Sequence, residues 1–146
     1  MGTGDSFAFF QEFTRKIADL TDELALSYFP EEDVIFKEGW ENIFKAPEFE
    51  NTDMASEFAE MVGNMEKNIQ EFMATDFPRI FIGRENPLPH GREFSIVISK
   101  VSFPKKKKGV VALLGPKRMD YDKNVKIINS FNIKKNVRKK RTGKGK

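Results

Sequence analysis

Residues 109–128 read Gly-Val-Val-Ala-Leu-Leu-Gly-Pro-Lys-Arg-Met-Asp-Tyr-Asp-Lys-Asn-Val-Lys-Ile-Ile, and no other stretch limits the fold as tightly. Val110 to Leu114 is a continuous apolar run, which predicts a strand buried on both faces and so a sheet covered on both sides. Gly115 permits positive φ, and Pro116 has no N–H to continue a ladder. Lys117 and Arg118 fall in the polar turn that follows. Asp120 is placed to cap a helix and to charge its first turn. Val125, Ile128 and Phe131 then recur at helical spacing, with Ile127 beside them.

The rest of the chain alternates between helical and extended patterns. Asp5 to Tyr28 reads as one amphipathic helix, with Phe10, Phe13, Ile17, Leu20 and Leu24 in steps of three and four and Pro30 as its stop. That stripe also forms a short heptad seam, so it is a candidate dimer face. Val34 to Phe36 is a short strand, Trp40 to Phe44 a helical turn, and Thr52 to Met73 a second long helix. Arg79 to Ile82 is a strand stopped by Gly83. Residues 85–91 form a Pro/Gly loop, Phe94 to Val101 a strand, and Pro104 to Gly109 a hairpin connection with four lysines at its tip. Adjacent strands without crossover helices favour an α+β fold, a mainly antiparallel sheet with packed helices.

No catalytic chemistry stands out. The chain has no cysteine, so thiolate zinc sites, disulfides and cysteine nucleophiles are excluded. His90 is the single histidine and lies in the loop with no triad or ligand spacing around it. Glu31, Glu32 and Asp33 form a loop cluster of the kind that is ordinarily solvated. No enzyme, metal or cofactor is expected. No apolar stretch reaches membrane-spanning length.

Charge is divided sharply along the chain. Of its 25 Lys and Arg, eight lie in residues 134–146 with no acid among them, which leaves 17 basic against 22 acidic residues in the body. Lys134, Lys135, Arg138, Lys139, Lys140 and Arg141 make a candidate nucleic-acid arm, one that would bind through phosphate contacts without sequence preference and loosen in salt. It has no aromatic residue for stacking on single strands.

Three motifs in order carry a resemblance. Gly39-Trp40-Glu41-Asn42 is a G-x-x-N segment, followed by Pro47-Glu48-Phe49 and by a helix containing Glu66. Ile82-Gly83-Arg84-Glu85-Asn86 is an I-G-x-E-N turn. Gly115-Pro116-Lys117-Arg118-Met119-Asp120-Tyr121 sits at the strand-to-helix junction. Together these resemble the C-terminal part of the heat-inducible transcription repressors, the HrcA family, over roughly residues 33 to 131. The resemblance marks Gly83, Glu85, Asn86, Gly115, Pro116, Arg118, Met119, Asp120 and Tyr121, with an architectural role for the junction and with Arg118 and Asp120 as candidates for pairing across an interface. It implies a GAF-like regulatory domain, a homodimer, support from a GroEL-type chaperonin, and operator DNA read by a winged helix that is not expected in the segment preceding the first motif.

The resulting expectation is a non-enzymatic regulatory and dimerisation domain of a heat-shock repressor of chaperone genes, in a bacterial cytoplasm and nucleoid-associated if DNA-bound. Residues 1–32 form an N-terminal helix, 33–133 the GAF-like domain and 134–146 a basic disordered tail. The alternative is a general nucleic-acid-binding protein acting through that tail. A small-molecule sensor is a third reading, although nothing in the sequence marks a pocket.

Overall fold

The computed structural model describes residues 3–73, 78–103 and 107–131. Its elements are α1 (Thr3–Thr21), β1 (Leu24–Phe29), β2 (Val34–Glu38), α2 (Trp40–Phe44), α3 (Thr52–Lys67), α4 (Ile69–Phe72), β3 (Arg79–Ile82), β4 (Phe94–Phe103), β5 (Lys107–Pro116) and α5 (Tyr121–Ser130). The five strands form one sheet in the order β2-β1-β5-β4-β3. Every neighbouring pair is antiparallel. This is an α+β fold consistent with a GAF-like domain.

The central strand shows why both faces must be covered. Side chains alternate across a strand, and on β5 Val110, Ala112 and Leu114 join one core while Val111 and Leu113 join the other. The first core also contains Leu24 and Leu26 of β1, Ile96 and Ile98 of β4, and Phe58, Met61 and Met65 of α3. The second contains Phe10, Phe13 and Ile17 of α1, Ala25 and Phe29 of β1, Val97 of β4 and Ile128 of α5. Phe rings do much of the filling: Phe10 stacks on Phe29, and Phe58 meets Phe94 edge to face. The sheet is therefore sandwiched between α1 with α5 and α2 with α3 and α4.

One element departs from the pattern read in the sequence. The N-terminal helix stops at Thr21, and Leu24 to Phe29 form β1, with all six residues buried. Asp22 supplies the break by adopting a left-handed conformation, φ 61°. Pro30 lies in the β1–β2 turn rather than at a helix end. The proposed helical seam is corrected accordingly. Leu24 is on a strand and faces the α3 side, so it cannot continue a stripe with Leu20. Phe10, Phe13 and Ile17 are buried against their own sheet, while Leu20 is exposed. A boundary at residues 32/33 would cut the β1–β2 hairpin, and α1 packs on that hairpin.

The second long helix is divided at Asn68, whose side chain donates back to the Asn64 carbonyl at 2.8 Å. Asn51 caps α3 by accepting from the Asp53 and Met54 amides. Of the hairpin connection expected over Pro104 to Gly109, Lys107 to Gly109 belong to β5, and residues 104–106 lie outside the described residues, as does the tail from 132, including Lys134, Lys135, Arg138, Lys139, Lys140 and Arg141.

Candidate functional site

The three motifs meet at one end of the sheet, around the β5–α5 junction. Gly39 has φ 108°, and a Cβ there would stand 2.5 Å from the Glu23 carbonyl oxygen, so only glycine fits where α2 turns beneath β1. Three residues on, the Asn42 amide donates to the carbonyls of Ala18 and Glu23, each at 3.1 Å. These bonds hold the end of α1 and the start of β1 against α2.

The junction itself is fastened from both sides. Arg118 lies over Glu48 in a two-pronged ion pair, Nε to Oε2 at 2.6 Å and Nη2 to Oε1 at 3.0 Å. The guanidinium holds the Glu48 carboxyl below its usual range, and the carboxylate raises the guanidinium in turn. Both groups are partly in solvent, so the pair fixes geometry more than it adds stability. On the opposite side Lys117 contacts Glu93 at 3.4 Å, and a Cβ on Gly83 would meet the Lys117 stem at 2.9 Å. The Tyr121 hydroxyl donates to Ser95 Oγ at 2.8 Å and also reaches the Lys117 carbonyl. Asp120 caps α5 by accepting from the Lys123 amide. Arg118 and Asp120 thus both have partners inside this chain.

The 83–86 turn is organised by its own polar residues. The Ile82 N–H donates to Glu85 Oε1 at 3.0 Å. Asn86 is buried; its Nδ2 donates to the Gly91 carbonyl at 3.1 Å and its Oδ1 accepts from the Leu88 N–H at 3.0 Å. These bonds satisfy a loop that would otherwise leave backbone groups unpaired. His90 pairs with Glu57 at 2.8 Å at the surface. Among the described residues no group of His, Asp and Glu could hold a metal ion.

Glu23 is the residue the sequence did not disclose. It is 6% exposed, in the bend between α1 and β1, and its carboxyl lies against Gly115. Burial pushes that carboxyl up to about 8; the Asn124 amide and the charges of Arg118 and Lys123 pull it down, and the Asp22 carboxylate pushes it up further. Asn124 is itself fully buried. Its Nδ2 reaches the Met119 sulfur at 3.4 Å, and its Oδ1 has no hydrogen-bond partner among the described residues. Glu23 lines a cavity of about 410 Å³ together with Asn42, Ile43, Pro116, Arg118 and Met119. A wider cavity of about 550 Å³ lies by the 83–91 loop, but its ionisable residues, Glu57, Arg84, His90, Arg92 and Glu93, are all exposed.

Gly115 is thereby explained, though not by the positive φ its turn position suggested. Positive φ among the described glycines occurs at Gly39 and Gly83. At Gly115 the requirement is space, because a Cβ would stand 2.1 Å from Glu23 Oε1. Gly115→Ala is expected to cost roughly 1–3 kcal/mol by displacing that carboxyl. Adding Glu23→Ala should recover much of the loss, so a double-mutant cycle by urea denaturation will show coupling between the two positions. Strict additivity would mean that Gly115 is needed for some other reason.

Comparison with known proteins decides the family. The family model for the HrcA protein C terminal domain matches residues 5–125. This chain belongs to the HrcA family. It is 32% identical over 126 residues to the heat-inducible transcription repressor HrcA of Thermodesulfovibrio yellowstonii, covering 84% of this chain and 35% of that protein. The corresponding repressor of Clostridium acetobutylicum is 33% identical over 94 residues, covering 64% of this chain and 27% of the relative. The chain therefore spans about a third of the length of the curated HrcA relatives it matches. A crystal structure of a hypothetical protein aligns with TM-score 0.55 and 20% identity, over 68% of this chain and 30% of that one, which is a likeness of fold. The HrcA relatives are transcription repressors rather than enzymes. The match begins within α1, so the helix and β1 belong with the HrcA domain instead of preceding it.

Proposed function

We propose that this chain is the regulatory domain of a heat-inducible repressor of chaperone genes, working as a homodimer and dependent on a winged helix outside its own fold to read operator DNA. The observation that carries this reading is the HrcA match over residues 5–125, which spans every described helix and strand at least in part. In support, the described residues build one sheet with its covering helices, and the helices are spent on that sheet rather than arranged as a helix-turn-helix. Heat would act by shifting the domain away from its dimer-competent population, with a GroEL-type chaperonin favouring the competent one. The dimer contact would use exposed apolar residues such as Leu20 and Phe9 of α1, since Phe10, Phe13 and Ile17 are already buried.

Fluorescence anisotropy tests this with an inverted-repeat duplex and a scrambled duplex at low and high salt. Equal affinities that fall together with salt are expected, since any DNA contact by this chain would come from its basic tail. A preference for the inverted repeat that survives high salt would show that the chain reads sequence itself and would overturn the assignment.

A further inference from the structure

We propose that the cavity between the end of α1, α2 and the β5–α5 junction binds a small alkyl amine, with its ammonium group on the Glu23 carboxylate and its alkyl body against the apolar wall. The cavity, about 410 Å³, is of the size that small ligands occupy. Its distinguishing feature is a buried carboxyl group that is hydrogen-bonded to the Asn124 amide but has no counter-ion among the described residues. The neighbouring cations are engaged elsewhere: Arg118 is held by both oxygens of Glu48, and Lys123 lies 3.9 Å from Asp22. No ion pair reaches Glu23 among the described residues. Buried carboxylates are ordinarily paired or hydrogen-bonded because isolation costs several kcal/mol.

The surroundings specify what would complete the site. The Asn124 side chain, which bonds Glu23, keeps its Oδ1 buried without a donor among the described residues. While Glu23 is protonated its own O–H can serve that acceptor; once it is ionised, carboxylate and acceptor together call for a group that only donates, and an ammonium has three N–H bonds and no acceptor. Ile43, Ala46, Pro47, Pro116 and Met119 supply an apolar wall for a short carbon chain. Beyond Glu23 the acids at the cavity, Asp22 and Asp120, are outnumbered by Lys45, Arg118 and Lys123, which leaves no net negative charge for a second ammonium and favours a monoamine over a polyamine. Room for the carboxyl is kept by the missing side chain of Gly115. The fold therefore retains a costly acid and leaves space around it.

The reaction is an exchange of one cation for another. With its carboxyl raised to about 8, Glu23 holds a proton at pH 7, and an arriving ammonium displaces it. Binding should release close to one proton at pH 7 and strengthen with pH up to about 8, by at most tenfold per pH unit.

Isothermal titration of the full chain with n-butylammonium chloride tests this, with sodium chloride at equal ionic strength as the blank. The expected result is saturable binding whose heat at pH 7 differs between phosphate and HEPES buffers by the difference in their ionisation heats for nearly one proton, with a matching rise in melting temperature. Glu23→Gln should weaken binding at least tenfold and abolish the buffer dependence, and putrescine should bind the wild type less tightly than butylamine. Carboxyl ¹³C NMR of the wild type gives a second readout free of any substitution, since the Glu23 resonance should move to its ionised position as amine is added. Absence of saturable heat, equal binding by Glu23→Gln, or an unmoved Glu23 resonance would each overturn the proposal. Its failure would leave the DNA-binding test of the repressor reading unaffected.

Discussion

Raising the pH from about 5 to about 8 is expected to strip stability from this domain, and Glu23→Gln is expected to remove most of that loss. The cause is the buried carboxyl of Glu23, raised to about 8 from an ordinary value of 4.5. Unfolded chains ionise this group above about 4.5, whereas the folded domain keeps it protonated until about 8. Between those values folding takes up a proton, so stability falls by about 1.4 kcal/mol per pH unit from this residue alone. Above about 8 the folded group ionises too, and the slope disappears. Glu23→Gln keeps the shape and removes the charge. It should match the wild type near pH 4.5 and exceed it by roughly 3–5 kcal/mol at pH 8.5. Urea denaturation at several pH values, followed by the fluorescence of Trp40 between Phe44 and Phe58, measures the difference directly. Identical pH profiles for the two proteins would mean that Glu23 is solvated in the folded state.

The same conservative substitution should have opposite signs at two glycines. Gly39→Ala places a Cβ 2.5 Å from the Glu23 carbonyl and 2.9 Å from the Ala18 Cβ, at a φ of 108° that alanine rarely adopts. Neither neighbour can swing aside, because one is backbone and the other a buried residue of α1. A loss of about 3 kcal/mol or more is expected. Gly63 lies within α3, and a Cβ there would meet nothing within 4 Å. Gly63→Ala should therefore gain about 0.5–1 kcal/mol, through helix propensity and a stiffer unfolded chain. Thermal melts of the two variants against the wild type suffice. A tolerated Gly39→Ala would show that the α1–β1 bend and α2 are not clamped as described.

How far the sequence disclosed this arrangement depends on what each signal was competing against. Val110 to Leu114 could be read as a doubly buried strand because Gly109 and Gly115-Pro116 bound it on both sides. Tyr121 to Ser130 was legible through Asp120, a capping residue with no rival role. Leu24 to Phe29 was not legible as a strand. Its Leu24 falls four residues after Leu20 and so continues the helical spacing of α1, and no glycine or proline stands at the break. The chain turns at Asp22 by a left-handed residue, which aspartate tolerates and which spacing alone does not reveal. Glu23 was hidden by the same error, since within a helix it would have been one more surface acid. The partners of the motifs were also out of reach: Arg118 and Glu48 are brought together only by the packing of α2 and its following turn beside the end of β5.

The order of strands has a consequence for the chain as it is being made. β5 is the middle strand of the sheet and the last to be synthesised, and Leu24 of β1 has Leu114 as its partner across that distance. Until β5 emerges, β1 and β2 can form only a hairpin, β3 and β4 only another, and neither two-stranded piece is stable by itself in water. The Phe-rich face of α1 then has half a sheet to cover, and Phe58 and its neighbours on α3 have the same deficit on the other side. Until Pro116 has emerged this fold is two sticky halves awaiting a keystone, which makes the interval between the synthesis of β4 and of β5 a period of exposure to aggregation.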